Sequence, residues 1–166
     1  MLGGLMNKLG FSNKDKDIII YSPVKGEACS LEEVNDQVFS EKILGDGLAI
    51  KPLNGRVVAP VDGTIGLLFE TKHAISIISE QGTEILIHVG LDTVNLKGEF
   101  FKAFISTGDK VKAGDLLLEF DLEQIKAAGY DVITPVLVCN TAAYSEILPV
   151  TGKQLEELEK ALTVKK

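Results

Sequence analysis

The stretch TKHAISIISEQGTEILIHVGLD, residues 71–92, predicts a β-hairpin and contains the only two histidines of the chain, His73 and His88. Two β-branched runs, AISII and TEILI, flank the turn sequence SEQG, a pattern typical of paired strands. With Glu80 and Gln81 at the centre of the turn, His73 pairs directly with His88. Opposed side chains of an antiparallel pair share a face, with Cβ atoms roughly 4.5–5.5 Å apart. The imidazoles are therefore expected to converge, unless a register slip or a bulge turns one of them away.

Short apolar segments alternate with turn residues from Ile18 onward, as in IIIYSPV, GLAIKPL, RVVAPV and GTIGLLF. This rhythm predicts an all-β domain over residues 18–166, an antiparallel β-sandwich or barrel-like fold with sheets of roughly six strands and short helical turns. Residues 21–28 and 58–65 each contain a Pro followed three residues later by a Gly. Because Pro lacks an N–H and Gly can take positive φ, both segments predict a strand, a tight corner and another strand, as in a duplicated unit.

Helical segments are predicted to be few and short. Ser30 is a candidate N-cap for residues 31–34, and Gly129 is a candidate stop for residues 122–128. Residues 153–162 fit either a helix or a turn followed by a final strand.

Residues 1–17 differ from the rest and are predicted to form a flexible N-terminal arm. Their apolar residues recur at helical spacing, which is typical of an amphipathic helix in weak contact with a membrane surface. The alternative is a frayed terminus, because Gly3, Gly4 and Gly10 weaken any helix.

Composition narrows the function classes. The chain has 166 residues, enough for one domain with a full core, and a net charge of −7. Nucleic acid is not an expected partner, because phosphate binding needs a basic face. Cys29 and Cys139 lack CxxC spacing and are predicted to be reduced, buried thiols of a cytoplasmic protein. No apolar run reaches the roughly 18 residues that a spanning helix needs.

The histidine pair is the main candidate for chemistry, since the sequence has no P-loop, dinucleotide fingerprint or GxSxG elbow. Three interpretations remain open from the residues alone. The rings could be structural groups, or they could be zinc ligands that need a further carboxylate, such as Asp92 or one from a partner. They could also carry a phosphoryl group, with one imidazole as nucleophile and the other as hydrogen-bond donor.

Family-specific signals occur in order along the chain, as VFSEKILGDGLAIKP, PVDGTIGLLFETKHAISI, GTEILIHVGLDTVNLKGEFF, GDKVKAGDLLLEFDL and ITPV. Together they resemble the glucose-family enzyme IIA of the bacterial phosphoenolpyruvate:sugar phosphotransferase system, over about residues 18–140. The resemblance implies the duplicated hybrid β fold and an EIIA domain over residues 18–166. It also implies a phosphotransferase component that forms a transient phosphohistidine and requires no cofactor.

The resemblance implies a role for each matching residue of the site. His88 would accept a phosphoryl group on Nε2 from the phosphocarrier protein HPr and pass it to a cysteine in the IIB domain of a IICB sugar permease. His73 would stabilise that group, Thr71 would hydrogen-bond His73, and the carbonyl of Gly90 would fix the tautomer of His88.

The resemblance also implies a shallow apolar docking surface with an acidic rim. Phe39 and Phe69 are the members expected to be partly exposed, and Leu86 stands where some members of the family carry Phe. The rival interpretation is contact-based regulation of other permeases or of kinases, in which His73 and His88 could share a zinc ion with a partner carboxylate. The matching positions of the docking surface are Asp36, Val38, Phe39, Ile43, Leu44, Phe69, Leu86, Asp92 and Val94.

Overall fold

The structure is a computed structural model that describes residues 17–166. The predicted N-terminal arm, apart from Asp17, lies outside these residues, and so does its predicted membrane contact. None of the helices within the described range is long and apolar enough to cross a membrane.

Short strands dominate the described chain, because β-branched and aromatic residues recur between turns. In chain order they are β1 (Ile18–Tyr21), β2 (Gly26–Cys29), β3 (Asp46–Pro52), β4 (Arg56–Val58), β5 (Gly63–Leu68), β6 (Ala74–Ser79), β7 (Glu84–His88), β8 (Phe101–Ala103), β9 (Lys110–Val111), β10 (Leu116–Phe120), β11 (Thr134–Val138), β12 (Glu146–Pro149), β13 (Lys153–Leu155) and β14 (Lys160–Lys165). The helical segments are α1 (Gln37–Ser40), α2 (Leu122–Ala127) and the 3-10 turns Leu31–Glu33, Thr93–Leu96 and Thr141–Ala143.

The strands form three antiparallel sheets. One is eight-stranded, in the order β13-β2-β3-β11-β7-β6-β5-β9, and two are three-stranded, β1-β14-β12 and β4-β10-β8. The predicted all-β antiparallel class is confirmed. The predicted size of about six strands per sheet is wrong, because the six strands outside the large sheet divide into two sheets that share no hydrogen-bonded strand.

The main core lies between the large sheet and the two small ones. Ile20 and Leu162 come from the β1-β14-β12 sheet, and Leu118 comes from the β4-β10-β8 sheet. They belong to one buried cluster with Ile75 and Ile87 of the large sheet. This packing fixes the inner face of β6 and β7, so that the alternate residues of these strands lie on the outer face.

A second, smaller buried cluster covers part of that outer face. It joins the 3-10 turn Leu31–Glu33 and α1 to residues of β2, β3 and β11. Asp36 caps α1, with its Oδ1 accepting the N–H of Val38 at 3.0 Å. The cap orients Phe39 into this cluster, which places α1 beside the end of β7.

The predicted hairpin is present, but the predicted register is off by one residue. Ala74 pairs with His88 and Ile77 pairs with Ile85. The loop has three residues instead of two, and its last residue, Gly82, takes a φ of 89°, as in hairpins whose loop closes with a left-handed residue. A two-residue turn was therefore the wrong assumption.

The two Pro-to-Gly segments each run strand, corner, strand, as predicted, through β1–β2 and β4–β5. Their glycines do not take positive φ, however. A Cβ on Gly26 would lie 2.2 Å from the carbonyl oxygen of Lys51, and one on Gly63 would lie 2.3 Å from that of Ile78. Glycine is therefore required at both corners by close strand approach.

Most of the remaining local predictions are confirmed, and one is wrong. The short helices after Ser30 and before Gly129 are confirmed, and residues 153–162 form parts of β13 and β14 with no helix. Cys29 is a buried free thiol, as predicted, but Cys139 is exposed, because it follows the end of β11.

Candidate functional site

His73 lies in the bend between β5 and β6, directly after Lys72, whose φ is 60°. The residue is only 4% exposed, and its Nδ1 lies 2.7 Å from the Oγ1 of Thr71. Its carbonyl accepts the N–H of Val89 at 2.7 Å. A residue in a bend does not follow the alternation of a strand, and the ring therefore reaches its position independently of the hairpin register.

His88 ends β7 on the outer face and is half-buried. Its Nδ1 lies 2.8 Å from the carbonyl oxygen of Gly90. A carbonyl oxygen can only accept a hydrogen bond, so Nδ1 carries the proton. In the neutral ring the lone pair is then on Nε2.

The two imidazoles meet edge to face. Their centroids are 4.8 Å apart and their planes make an angle of 84°. A phenylalanine flanks each ring, Phe39 at 5.0 Å from His88 and Phe69 at 5.7 Å from His73. The pair converges, as predicted, although Ala74 and not His73 is opposite His88.

Burial keeps both imidazoles neutral at pH 7. It lowers the pKa of His73, helped by the nearby His88, from 6.5 to about 4. Burial also lowers the pKa of His88, against the opposing effects of the Gly90 carbonyl and of the Asp36 and Asp92 carboxylates. Both rings therefore keep an unprotonated nitrogen at neutral pH.

Gly90 has a conformation and surroundings that exclude other residues. Its φ is 80°, in the left-handed region. A Cβ at this position would lie 2.6 Å from the Cγ2 of Thr93 and 2.8 Å from the carbonyl oxygen of Asp131. The carbonyl that contacts His88 thus belongs to a tightly enclosed backbone.

Residues 18–144 match the family described as "phosphoenolpyruvate-dependent sugar phosphotransferase system, EIIA 1". The chain belongs to this family.

Individual EIIA relatives differ in length. The chain is 62% identical over 127 residues to a beta-glucoside-specific EIIBCA component of Bacillus subtilis, covering 76% of this chain and 21% of that protein. It thus spans about a fifth of the length of that longer relative. It is 43% identical over 165 residues to the glucose-specific EIIA component of Haemophilus influenzae, covering 98% of this chain and 99% of that one.

A solved EIIA structure has the same fold. The glucose permease IIA of Mycoplasma capricolum superposes with a TM-score of 0.80 at 34% identity, over 89% of this chain and 96% of that chain. The family model, the Haemophilus influenzae relative and this solved structure are all named as EIIA or IIA components of sugar uptake systems.

The residues predicted to form the docking surface of this EIIA domain differ in exposure. Val38, Ile43, Leu44 and Val94 are exposed apolar side chains, and Asp92 is exposed as well. Asp36, Phe69 and Leu86 are half-buried.

Phe39 is the member of this set whose predicted exposure is wrong. It is only 3% exposed, because α1 turns its ring into the second, smaller buried cluster and against His88. Phe69 is half-buried, in agreement with its predicted partial exposure. Phe39 can therefore orient the His88 ring but offers little area to a docking protein.

The pair could supply two ligands to a metal. Within residues 17–166, no group of three or more His, Cys, Asp and Glu side chains could hold a metal ion. A zinc ion on His73 and His88 would thus need ligands from another molecule.

Two features near the site were not predicted from the sequence. The short helix α1 was missed, although Asp36 is a typical N-cap residue. Thr93 was missed too; its hydroxyl donates to the carbonyl of Val89, four residues earlier. Threonine makes such contacts to preceding carbonyls, but only the tertiary structure shows that this one adjoins Gly90.

Proposed function

We propose that this chain accepts a phosphoryl group on Nε2 of His88 from phospho-HPr and passes it to a cysteine in the IIB domain of a sugar permease, in the cytoplasm. The observation that carries the proposal is the contact between Nδ1 of His88 and the carbonyl of Gly90. It leaves the lone pair on the ring nitrogen that would attack, at a pH where the ring is neutral.

The chemistry at His88 is a displacement at phosphorus. The lone pair of Nε2 forms a bond to phosphorus as the bond to the nitrogen of the donor's histidine breaks, and that nitrogen leaves with the electron pair. As Nε2 bonds to phosphorus, the ring gains positive charge, which the Nδ1–H of His88 shares with the Gly90 carbonyl. In the onward step a cysteine thiolate forms a bond to phosphorus as the bond from phosphorus to Nε2 breaks, and Nε2 leaves with the electron pair. No metal, nucleotide or organic cofactor is required.

His73 is proposed to steady the phosphoryl oxygens. If the hydroxyl of Thr71 donates to Nδ1 of His73, the ring proton is on Nε2 and can donate to phosphate. His73 is neutral and buried, and it is held by hydrogen bonds to Thr71 at its ring and to Val89 at its backbone carbonyl. Thr71 would thus select the tautomer of His73, and Gly90 that of His88.

The acceptor is inferred from relatives. The name of the beta-glucoside-specific EIIBCA component of Bacillus subtilis indicates B, C and A parts in one protein. This supports a IIB domain as the acceptor of the phosphoryl group from an EIIA domain.

Protein docking accounts for the charge around the site. Asp36 and Asp92 are close enough to affect the titration of His88. Carboxylates would repel a free phosphate, whereas they would attract basic residues of a protein donor and speed its encounter. The exposed Val38, Ile43, Leu44 and Val94 would supply apolar contact area.

The test is labelling of the purified chain by phosphoenolpyruvate, enzyme I and HPr, followed by intact-mass spectrometry. We expect one added phosphoryl group on the wild type and none on His88→Gln. His73→Gln should still be labelled but should fail to pass the group to a IIB domain. Labelling of His88→Gln would show that another residue is the nucleophile, and normal onward transfer by His73→Gln would remove His73 from the mechanism.

A second candidate function is regulation by contact, favoured by the four exposed apolar side chains beside the site. Other permeases or kinases would dock on the unphosphorylated form, and a carboxylate of the partner could complete a zinc site with His73 and His88. Pull-down of partners by wild type, with and without zinc and before and after phosphorylation, tests this. Recovery of the same partners by Ile43→Asp would count against it.

A further inference from the structure

The peptide between Val89 and Gly90 is anchored at both ends. Its N–H, on Gly90, donates to the carbonyl of Ile133 at 3.0 Å. Its carbonyl, on Val89, accepts the hydroxyl of Thr93. Rotation of this peptide would break both hydrogen bonds.

The next peptide, between Gly90 and Leu91, is anchored in the same way. Its N–H, on Leu91, donates to the carbonyl of Asp131 at 3.0 Å. Its carbonyl, on Gly90, accepts Nδ1–H of His88 at 2.8 Å. The hydrogen bond that orients the His88 ring is thus one of four linked hydrogen bonds on these two peptides.

Among residues 17–166, Thr93 is the one side chain besides His88 that hydrogen-bonds to these two peptides. It is fully buried, and its hydroxyl donates to Val89. Its methyl carbon Cγ2 lies 2.6 Å from the position that a Cβ on Gly90 would take. One side chain therefore holds this backbone by a hydrogen bond and closes the space beside Gly90.

We infer that Thr93 is a positioning residue that holds the Gly90 carbonyl on Nδ1 of His88 and so selects the tautomer of that ring. Without its hydroxyl, the carbonyl of Val89 is buried without a donor, and the backbone rotates to find one. Rotation moves the Gly90 carbonyl away from Nδ1. The ring proton can then move to Nε2, which removes the lone pair from that nitrogen.

The consequence for phosphoryl transfer rests on the proposed function, whereas the consequence for the tautomer does not. The tautomer is read from the nitrogen chemical shifts of the histidine rings in protein labelled with 15N-histidine, at neutral pH. We expect wild-type His88 to carry its proton on Nδ1. Thr93→Val, which keeps the shape and loses the hydroxyl, should show a mixture of both tautomers.

Two variants separate the hydroxyl from packing and from general loss of stability. Thr93→Ser keeps the donor and should retain the wild-type tautomer. Thr83→Val is the matched control, since Thr83 is also a fully buried threonine, in the hairpin that contains His88, with its hydroxyl bonded to Tyr144 at 2.8 Å. It should leave the tautomer of His88 unchanged.

Labelling by phospho-HPr gives the functional readout. Thr93→Val should be labelled about tenfold more slowly than wild type, the cost of one buried carbonyl left without its donor. Thr93→Ser should recover most of that rate, and raising the pH should not restore Thr93→Val, because the ring is already neutral.

The inference is overturned if His88 keeps its wild-type tautomer in Thr93→Val. It is also overturned if the tautomer changes equally in Thr93→Ser or in Thr83→Val. If the wild type is never labelled, the proposed function fails while the nitrogen shifts still decide the role of Thr93. If Thr93→Val does not fold, the test is made on the wild type, by NMR measurement of hydrogen exchange at the Thr93 hydroxyl. Slow exchange supports the inference, and rapid exchange refutes it.

Discussion

The two ends of the β6–β7 hairpin contain similar residues that are used differently. The turn end has a glycine with φ of 89°, Gly82, and a buried threonine, Thr83. Just beyond the histidine end lie a glycine with φ of 80°, Gly90, and a buried threonine, Thr93, which begins the next 3-10 turn. A Cβ on Gly82 would meet nothing within 4 Å, whereas one on Gly90 would meet both a side chain and a backbone carbonyl.

This difference separates a glycine that closes a turn from one that shapes a site. At the turn, only the sign of φ matters, so the position needs a left-handed residue and little else. At the histidine end, the surrounding chain fixes each backbone group near His88. Such over-determined backbone is expected where a reacting atom must be held in place.

The largest predicted contrast is between alanine substitutions at these glycines. Gly82→Ala should lower the free energy of unfolding by about 1 kcal/mol, the cost of a left-handed non-glycine residue. Gly90→Ala should lower it by about 3 kcal/mol or more, because overlap with Thr93 and Asp131 adds to that cost. Urea unfolding measures both. Equal losses would mean that the backbone around Gly90 yields easily, and the contrast between the two ends would disappear.

The next contrast concerns pH. Below pH 6.5 the unfolded chain binds a proton at His73, whereas the folded chain does not bind one until about pH 4. Stability is therefore full above pH 6.5 and falls as the pH decreases towards 4, by about 3 kcal/mol for this group. His73→Gln should lose this part of the pH dependence.

Carboxylates also titrate in the lower part of this range, so the measured quantity is the difference between wild type and His73→Gln in urea unfolding from pH 7.5 to pH 4. The difference should change steadily with pH. Parallel curves would show that the His73 pKa is not lowered by burial.

The smallest predicted effect on stability is at the surface. Ile43 is 64% exposed near the site and Leu148 is 39% exposed on β12, in another sheet. Ile43→Ser and Leu148→Ser should each change the free energy of unfolding by less than about 0.5 kcal/mol. Only Ile43→Ser should slow labelling by phospho-HPr, through a higher KM for HPr. An equal effect from Leu148→Ser would place the docking surface elsewhere.

The sequence predicted the hairpin strands well and their register badly. The β-branched runs gave β6 and β7, because the inner face of each strand is formed by isoleucines packed in the main core. The register failed because a two-residue and a three-residue loop look alike in SEQG, and only the conformation of Gly82 distinguishes them.

The histidines converge as predicted, but for a different structural reason. A pairing of His73 with His88 was expected, yet the rings meet because His73 lies in a bend outside β6. The distinct roles of His73, His88, Thr71 and Gly90 came only from the family resemblance. Exposure at Phe39 and the contacts of Thr93 depend on segments distant in sequence, which local patterns do not report.

The pairing of the first and last strands has a consequence for fusion proteins. Ile18 pairs with Val164, and the side chain of Lys165 reaches that of Asp17 at 3.4 Å. A domain attached at either end of this unit would therefore be tethered at the same edge of the molecule. Its effective concentration at the histidines would then depend on linker length and stiffness, and little on which end carries it.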